Sequence, residues 1–144
     1  IVNGLVGSEM CIRDSLYLES NIRTNNLSIS STIIEDMDFK LSKLSDMQRA
    51  WYQPYLIYEK ALYSFYKKDF KASLSLVNEA INNYAAELDI VLANAFLLQG
   101  KCYDKIGKRR KAKESYQMCI DLKNLSDAIS KSKTHLKIPY EGLQ

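Results

Sequence analysis

The sequence has few of the residues that punctuate β-structure: 5 glycines and 2 prolines in 144 positions. A sandwich or barrel of many short strands needs more turn-formers than that, so helices are expected. A single histidine, His135, leaves a zinc site or a Cys–His pair without a second imidazole. The three cysteines, Cys11, Cys102 and Cys119, are odd in number and show no CxxC spacing. That argues against a disulfide framework and favours a reducing, cytoplasmic compartment. No apolar run reaches about 18 residues, so membrane insertion is not expected. No Gly-rich phosphate loop, serine elbow or paired-carboxylate motif is present. Asp36 and Asp38 flank Met37 beside Glu35, but neighbouring acids on a helix point in different directions. No reaction, no metal and no cofactor is therefore expected.

What is present is ordinary globular composition, 47% hydrophobic and 26% charged, with a net charge of +3. This bounds one modest domain and falls short of a nucleic-acid-binding composition. The chain opens on Ile1, as a fragment or processed product would, and its first residues lack the basic flank of a signal peptide. Gly7-Ser8-Glu9-Met10-Cys11-Ile12-Arg13-Asp14-Ser15 resembles translated sequencing-adaptor sequence, which implies that residues 1–15 are a non-native leader.

From residue 16 onward, helix signals recur. Leu16 to Arg23 closes one helix before the polar Thr24-Asn25-Asn26. Thr32 and Glu35 have capping-box spacing, and Ile34, Met37, Leu41 and Leu44 share one helical face. Ser45 and Gln48 have the same box spacing ahead of an aromatic stretch. Pro54 suits a first helical turn, so the main helix is expected to start there, although a helix kinked at Pro54 remains open. Asp69 can cap a helix carrying Phe70, Leu74, Val77, Ile81 and Tyr84 on one side, and 85–87 reads as a connection. Asp89 to Ile106 is helical in pattern, with Gly107 suited to the C′ position. Ala112, Tyr116 and Cys119 mark the next helix. Leu125, Ile129, Ser132 and Leu136 mark a last one, stopped by Pro139. Helices joined by such short turns pack as antiparallel neighbours.

Two stretches are alike, 61–73 and 100–112: a small residue, an amphipathic turn, an aromatic, a basic break, then a small residue opening a second helix. Within 93–126, Gly100, Tyr103, Gly107, Ala112, Tyr116 and Ile120 resemble the small, aromatic and apolar positions of a tetratricopeptide repeat. Phe96 stands for the usual Trp, Cys119 for Ala and Asn124 for Pro. The 54–87 stretch is a poorer match, offset by 39 residues against the usual 34. The resemblance covers about half of the chain.

The resemblance implies an all-α fold of antiparallel hairpins stacked as a short right-handed solenoid. Its units would be a degenerate hairpin over 16–53, repeats over 54–87 and 93–126, and a solvating helix over 124–138. It further implies a non-catalytic scaffold, the C-terminal part of a larger protein, holding a protein or peptide partner in a concave groove. On that register Tyr55, Tyr58, Leu62, Phe65 and Tyr66 face the groove, with Asn94, Leu97, Lys101, Asp104 and Lys105 beside them. The family's Lys/Asn clamp for terminal carboxylates is not matched, because its positions hold Tyr58, Leu62, Leu97 and Lys101. Cys102 and Cys119 read as small hydrophobes between paired helices, and His135 as a surface or capping residue. The basic run Lys105, Lys108, Arg109, Arg110, Lys111 and Lys113 offers an alternative, anion or nucleic-acid binding through the turn 105–113. A further alternative is the regulatory tail of an enzyme domain preceding residue 16.

Overall fold

The computed structural model describes the backbone of residues 2–83 and 89–142, and the side chains of 13–83 and 91–142. The described residues form an all-α array without strands: α1 (Val2–Arg23), α2 (Leu27–Ser42), α3 (Asp46–Tyr66), α4 (Phe70–Asn82), α5 (Asp89–Lys105), α6 (Arg109–Asp121) and α7 (Asp127–Lys137). The expected connection over 85–87, and Tyr84 with it, lies outside the described residues.

Three of the turns are built alike. Asn25, Lys68 and Gly107 each adopt positive φ, at 63°, 64° and 79°. In each case that residue's N–H bonds to the carbonyl three positions back, and the next N–H to the carbonyl five back: Asn26 to Asn21, Asp69 to Ser64 and Lys108 to Tyr103. This is the Schellman arrangement, which ends one helix and satisfies its last carbonyls. Five residues after each positive-φ position stands a small, fully buried residue, Ser30, Ser73 and Ala112. Small side chains there let the second helix of each pair lie close against the first. The Ser73 hydroxyl donates to the Ala61 carbonyl at 2.7 Å, and the Ser30 hydroxyl to the Asn26 carbonyl at 2.8 Å, so neither buried polar group is orphaned.

The pairs stack in a consistent order. Each helix packs on its chain neighbours. In addition α1 touches α3, α3 touches α5 and α5 touches α7, while α2, α4 and α6 do not touch one another. The odd helices form a continuous inner layer and the even helices fan apart behind it, a repeat-like arrangement. One core runs through α1 to α5, with Leu18, Ile22, Met37, Leu56, Ala61, Val77 and Cys102 among its buried members. A second joins α5, α6 and α7 through Ala93, Phe96, Ala112, Tyr116, Cys119 and Ala128. Gly100 lies against Tyr116, and a Cβ added there would sit 2.6 Å from ring atom Cδ1. Cys102 and Cys119 are buried free thiols.

Three sequence expectations are corrected. The aromatic helix does not start at Pro54. Ser45 and Gln48 form the reciprocal capping box, and Pro54 lies inside the helix. Nucleation at the box and the buried face Leu56, Ile57, Ala61, Leu62 and Phe65 outweigh one missing backbone bond, which costs about 3 kcal/mol. The second helix starts at Leu27 instead of Thr32. The turn at Asn25 delivers the chain already helical, and Thr32 spends its hydroxyl on the Ser28 carbonyl. Leu125 is not on the last helix but precedes its cap, Ser126, and is wholly exposed.

Candidate functional site

The inner layer encloses a cleft of about 370 Å³. Each odd helix gives it one stripe at helical spacing: Glu19 and Arg23 from α1; Tyr58, Leu62, Phe65 and Tyr66 from α3; Asn94, Leu97, Leu98 and Lys101 from α5; Asp127 and Lys131 from α7. Tyr140, beyond the last helix, closes one end.

Its charges are mostly paired within single helices. Arg23 bridges Glu19, and Lys131 bridges Asp127 at 2.8 Å. Lys101 has no carboxylate within ion-pair distance among the described residues; its ammonium lies 4.8 Å from the centre of the Tyr140 ring. Burial pushes this amine down to about 8, and the nearby Lys131 and Arg23 add to the effect. Burial also holds the Tyr58 hydroxyl well above its ordinary range, helped by Glu59 and Glu19. The cleft therefore offers tyrosine edges, an amide and one uncompensated cation, a mixture suited to polar, aromatic recognition.

Of the residues the sequence placed in a groove, Tyr58, Leu62, Phe65, Tyr66, Asn94, Leu97 and Lys101 meet in this cleft. Tyr55 does not. It faces an apolar hollow of about 560 Å³ between α1, α2 and α3, with Met47, Trp51 and Tyr52. Asp104 is an interior anchor with its side chain almost wholly buried. Its carboxylate accepts from Arg109 Nη1 at 3.0 Å, from the Tyr116 hydroxyl at 2.7 Å and from the Tyr140 backbone N–H at 2.8 Å. Lys105 does not line the cleft; its ammonium lies over the Phe70 ring and donates to the Glu141 carbonyl at 2.9 Å.

Of the basic run, Lys105, Lys108, Arg110, Lys111 and Lys113 are exposed and Arg109 is half-buried. Arg109 turns inward, pairing with Asp104 and donating to the His135 and Leu136 carbonyls at the end of α7. A guanidinium fork closes orphan carbonyls well, and this one is thereby used up inside the fold. Lys111 lies over the Tyr103 ring, Arg110 pairs loosely with Glu114, and Lys108 is exposed at the start of α6.

His135 is not a free surface residue. Its ring lies 5.7 Å from that of Tyr116 and 5.3 Å from that of Tyr140, and burial lowers its basicity. No group of three or more His, Cys, Asp or Glu suited to a metal occurs among the described residues. No helix among them is long and apolar enough to cross a membrane.

No family model, curated protein or solved structure matches the chain.

Sequence reasoning missed the α1 and α7 walls and Tyr140. Glu19 with Arg23, and Asp127 with Lys131, were visible as i,i+4 opposite-charge pairs, a signal that marks an exposed helix flank. Nothing in a periodicity places Tyr140, because it follows Pro139 outside any helix.

Proposed function

We propose that this chain is a non-catalytic interaction module of the tetratricopeptide type, which holds an extended segment of a partner protein in the inner cleft. The observation that carries the reading is the convergence of four successive odd helices, each supplying a side-chain stripe to one concave surface. Stacked hairpins create such surfaces because neighbouring units repeat the same presentation. Tyrosines with an apolar body and a polar tip are common binding anchors, and an amine short of a partner favours a segment that brings a carboxylate. The basic turn is the weaker candidate, since Arg109 is engaged with Asp104 and α7 and Lys105 with Glu141.

The test uses a peptide selected from a random library against the chain. Asn94→Arg, which fills the cleft from a half-buried position, is expected to weaken binding at least about tenfold, as loss of a central contact does. Met118→Arg, on exposed α6, is expected to leave the affinity unchanged. The opposite ranking would place binding on the outer face and refute the proposal.

A further inference from the structure

The segment after α7 behaves as a ligand of the inner layer. Pro139 disfavours helical geometry at the residue before it, and Ile138 leaves the helix extended, at φ −122° and ψ 121°. Ile138 is largely exposed, while Tyr140, past the proline, packs half-buried against the core cluster of α1 to α5. The tyrosine ring sits between Phe65, 5.7 Å away between centroids, and His135, edge-on at 5.3 Å, with the Lys101 ammonium over its face. Backbone contacts fix the register. The Tyr140 N–H donates to Asp104, and the Glu141 carbonyl accepts from Lys105. A buried acid taking a main-chain N–H and a lysine taking the next carbonyl are independent of the bound sequence. The ring slot is not.

Deepening the groove reading above, and resting on it, we infer that the Phe65–His135–Lys101 slot is a recognition subsite for a tyrosine in an extended segment, and that residues 138–142 are its resident occupant, which a partner segment of the same chemistry displaces. A resident segment competes at the high effective concentration of a short tether. It keeps the site shut to weak ligands and reserves it for partners that also contact the open remainder of the cleft.

The probe is a labelled hexapeptide, Lys-Ile-Pro-Tyr-Glu-Gly with blocked ends, added to the full chain. Tyr140→Ala empties the slot and is expected to bind the probe at least about tenfold more tightly than wild type, as removal of a tethered competitor demands. Pro139→Gly, at an exposed position of the resident segment, loosens that segment without changing the slot or the probe and is expected to give a smaller gain in the same direction. Tyr140→Phe retains the ring and is expected to match wild type. A probe with Ala in place of Tyr is expected not to bind. Equal probe affinity for wild type, Tyr140→Ala and Pro139→Gly would overturn the inference, as would equal binding of the Ala probe. A library-selected peptide lost in Asn94→Arg yet indifferent to Tyr140→Ala would overturn this inference alone and leave the groove proposal standing.

Discussion

Gly100→Ala is expected to lower the thermal unfolding midpoint by roughly 5–8 °C, about 2 kcal/mol for a chain of this size. Two effects oppose each other. Helix propensity favours alanine over glycine by about 1 kcal/mol in a helix interior. Against it, the new methyl would sit 2.6 Å from Tyr116 Cδ1. The ring has nowhere to retreat. It is completely buried, and its hydroxyl is fixed to Asp104 at 2.7 Å. Overpacking of this kind costs more than propensity returns. Pairing the change with Tyr116→Leu is expected to recover part of the loss relative to additivity, because the clash is then gone. Thermal melts of the four chains of that cycle measure it. A Gly100→Ala chain that is more stable than wild type would show that α5 and α6 are not in close contact there.

The second large effect belongs to Glu59, almost wholly buried on α3. One carboxylate oxygen accepts from the Ser15 hydroxyl at 3.3 Å, and the other has no hydrogen-bond partner among the described residues. Burial, reinforced by Glu19, pushes this acid up to about 8, with Ser15 and Arg23 pulling the other way. The sign of the pH dependence follows. The folded chain keeps the proton to about pH 8, whereas the unfolded chain releases it near its ordinary value of 4.5. Between those limits the folded state binds more protons, so stability falls as pH rises and levels off above about 8. Glu59→Gln abolishes that loss. It is expected to be near neutral at pH 5 and to stabilise by on the order of 3 kcal/mol at pH 8 and above. His135 has the opposite slope: burial lowers its basicity, so it opposes folding as pH falls below 6.5. It is common to both chains and cancels in the difference. Denaturant melts of wild type and variant across pH 5 to 9 check the prediction, and parallel stability curves would contradict it.

How much was legible follows from which forces leave a local trace. The class was legible because apolar spacing and small residues are local: Ala61 with Ser73, and Gly100 with Ala112, stand 39 residues apart in both helices of their hairpins. The structure repeats that offset in the turns at Lys68 and Gly107. The first hairpin was harder to read. Its turn residue is Asn25 and not glycine, and Leu18 occupies the place of Ala61 and Gly100, so the small-residue signature is half missing. Asparagine tolerates the left-handed region, and Asn25 five residues before the buried Ser30 was the available clue. Pro54 misled because a local rule about proline was outweighed by a capping box nine residues earlier and a buried face after it. Within the site, the α3 and α5 stripes followed from the register that the tetratricopeptide resemblance implies. The interior roles of Asp104 and Arg109 did not. A charge's inward turn depends on what another helix leaves unsatisfied, here the last carbonyls of α7 and the Tyr116 hydroxyl.

The most direct measurement is NMR mapping of side-chain signals as a library-selected peptide is titrated into the isotope-labelled chain. The inner-layer account predicts large shifts for the Asn94 side-chain amide and the Leu62 and Leu97 methyls, with the Met118 and Leu125 methyls unmoved. Shifts confined to Met118, Leu125 and the turn around Lys108 and Arg110, with Asn94 silent, would contradict it.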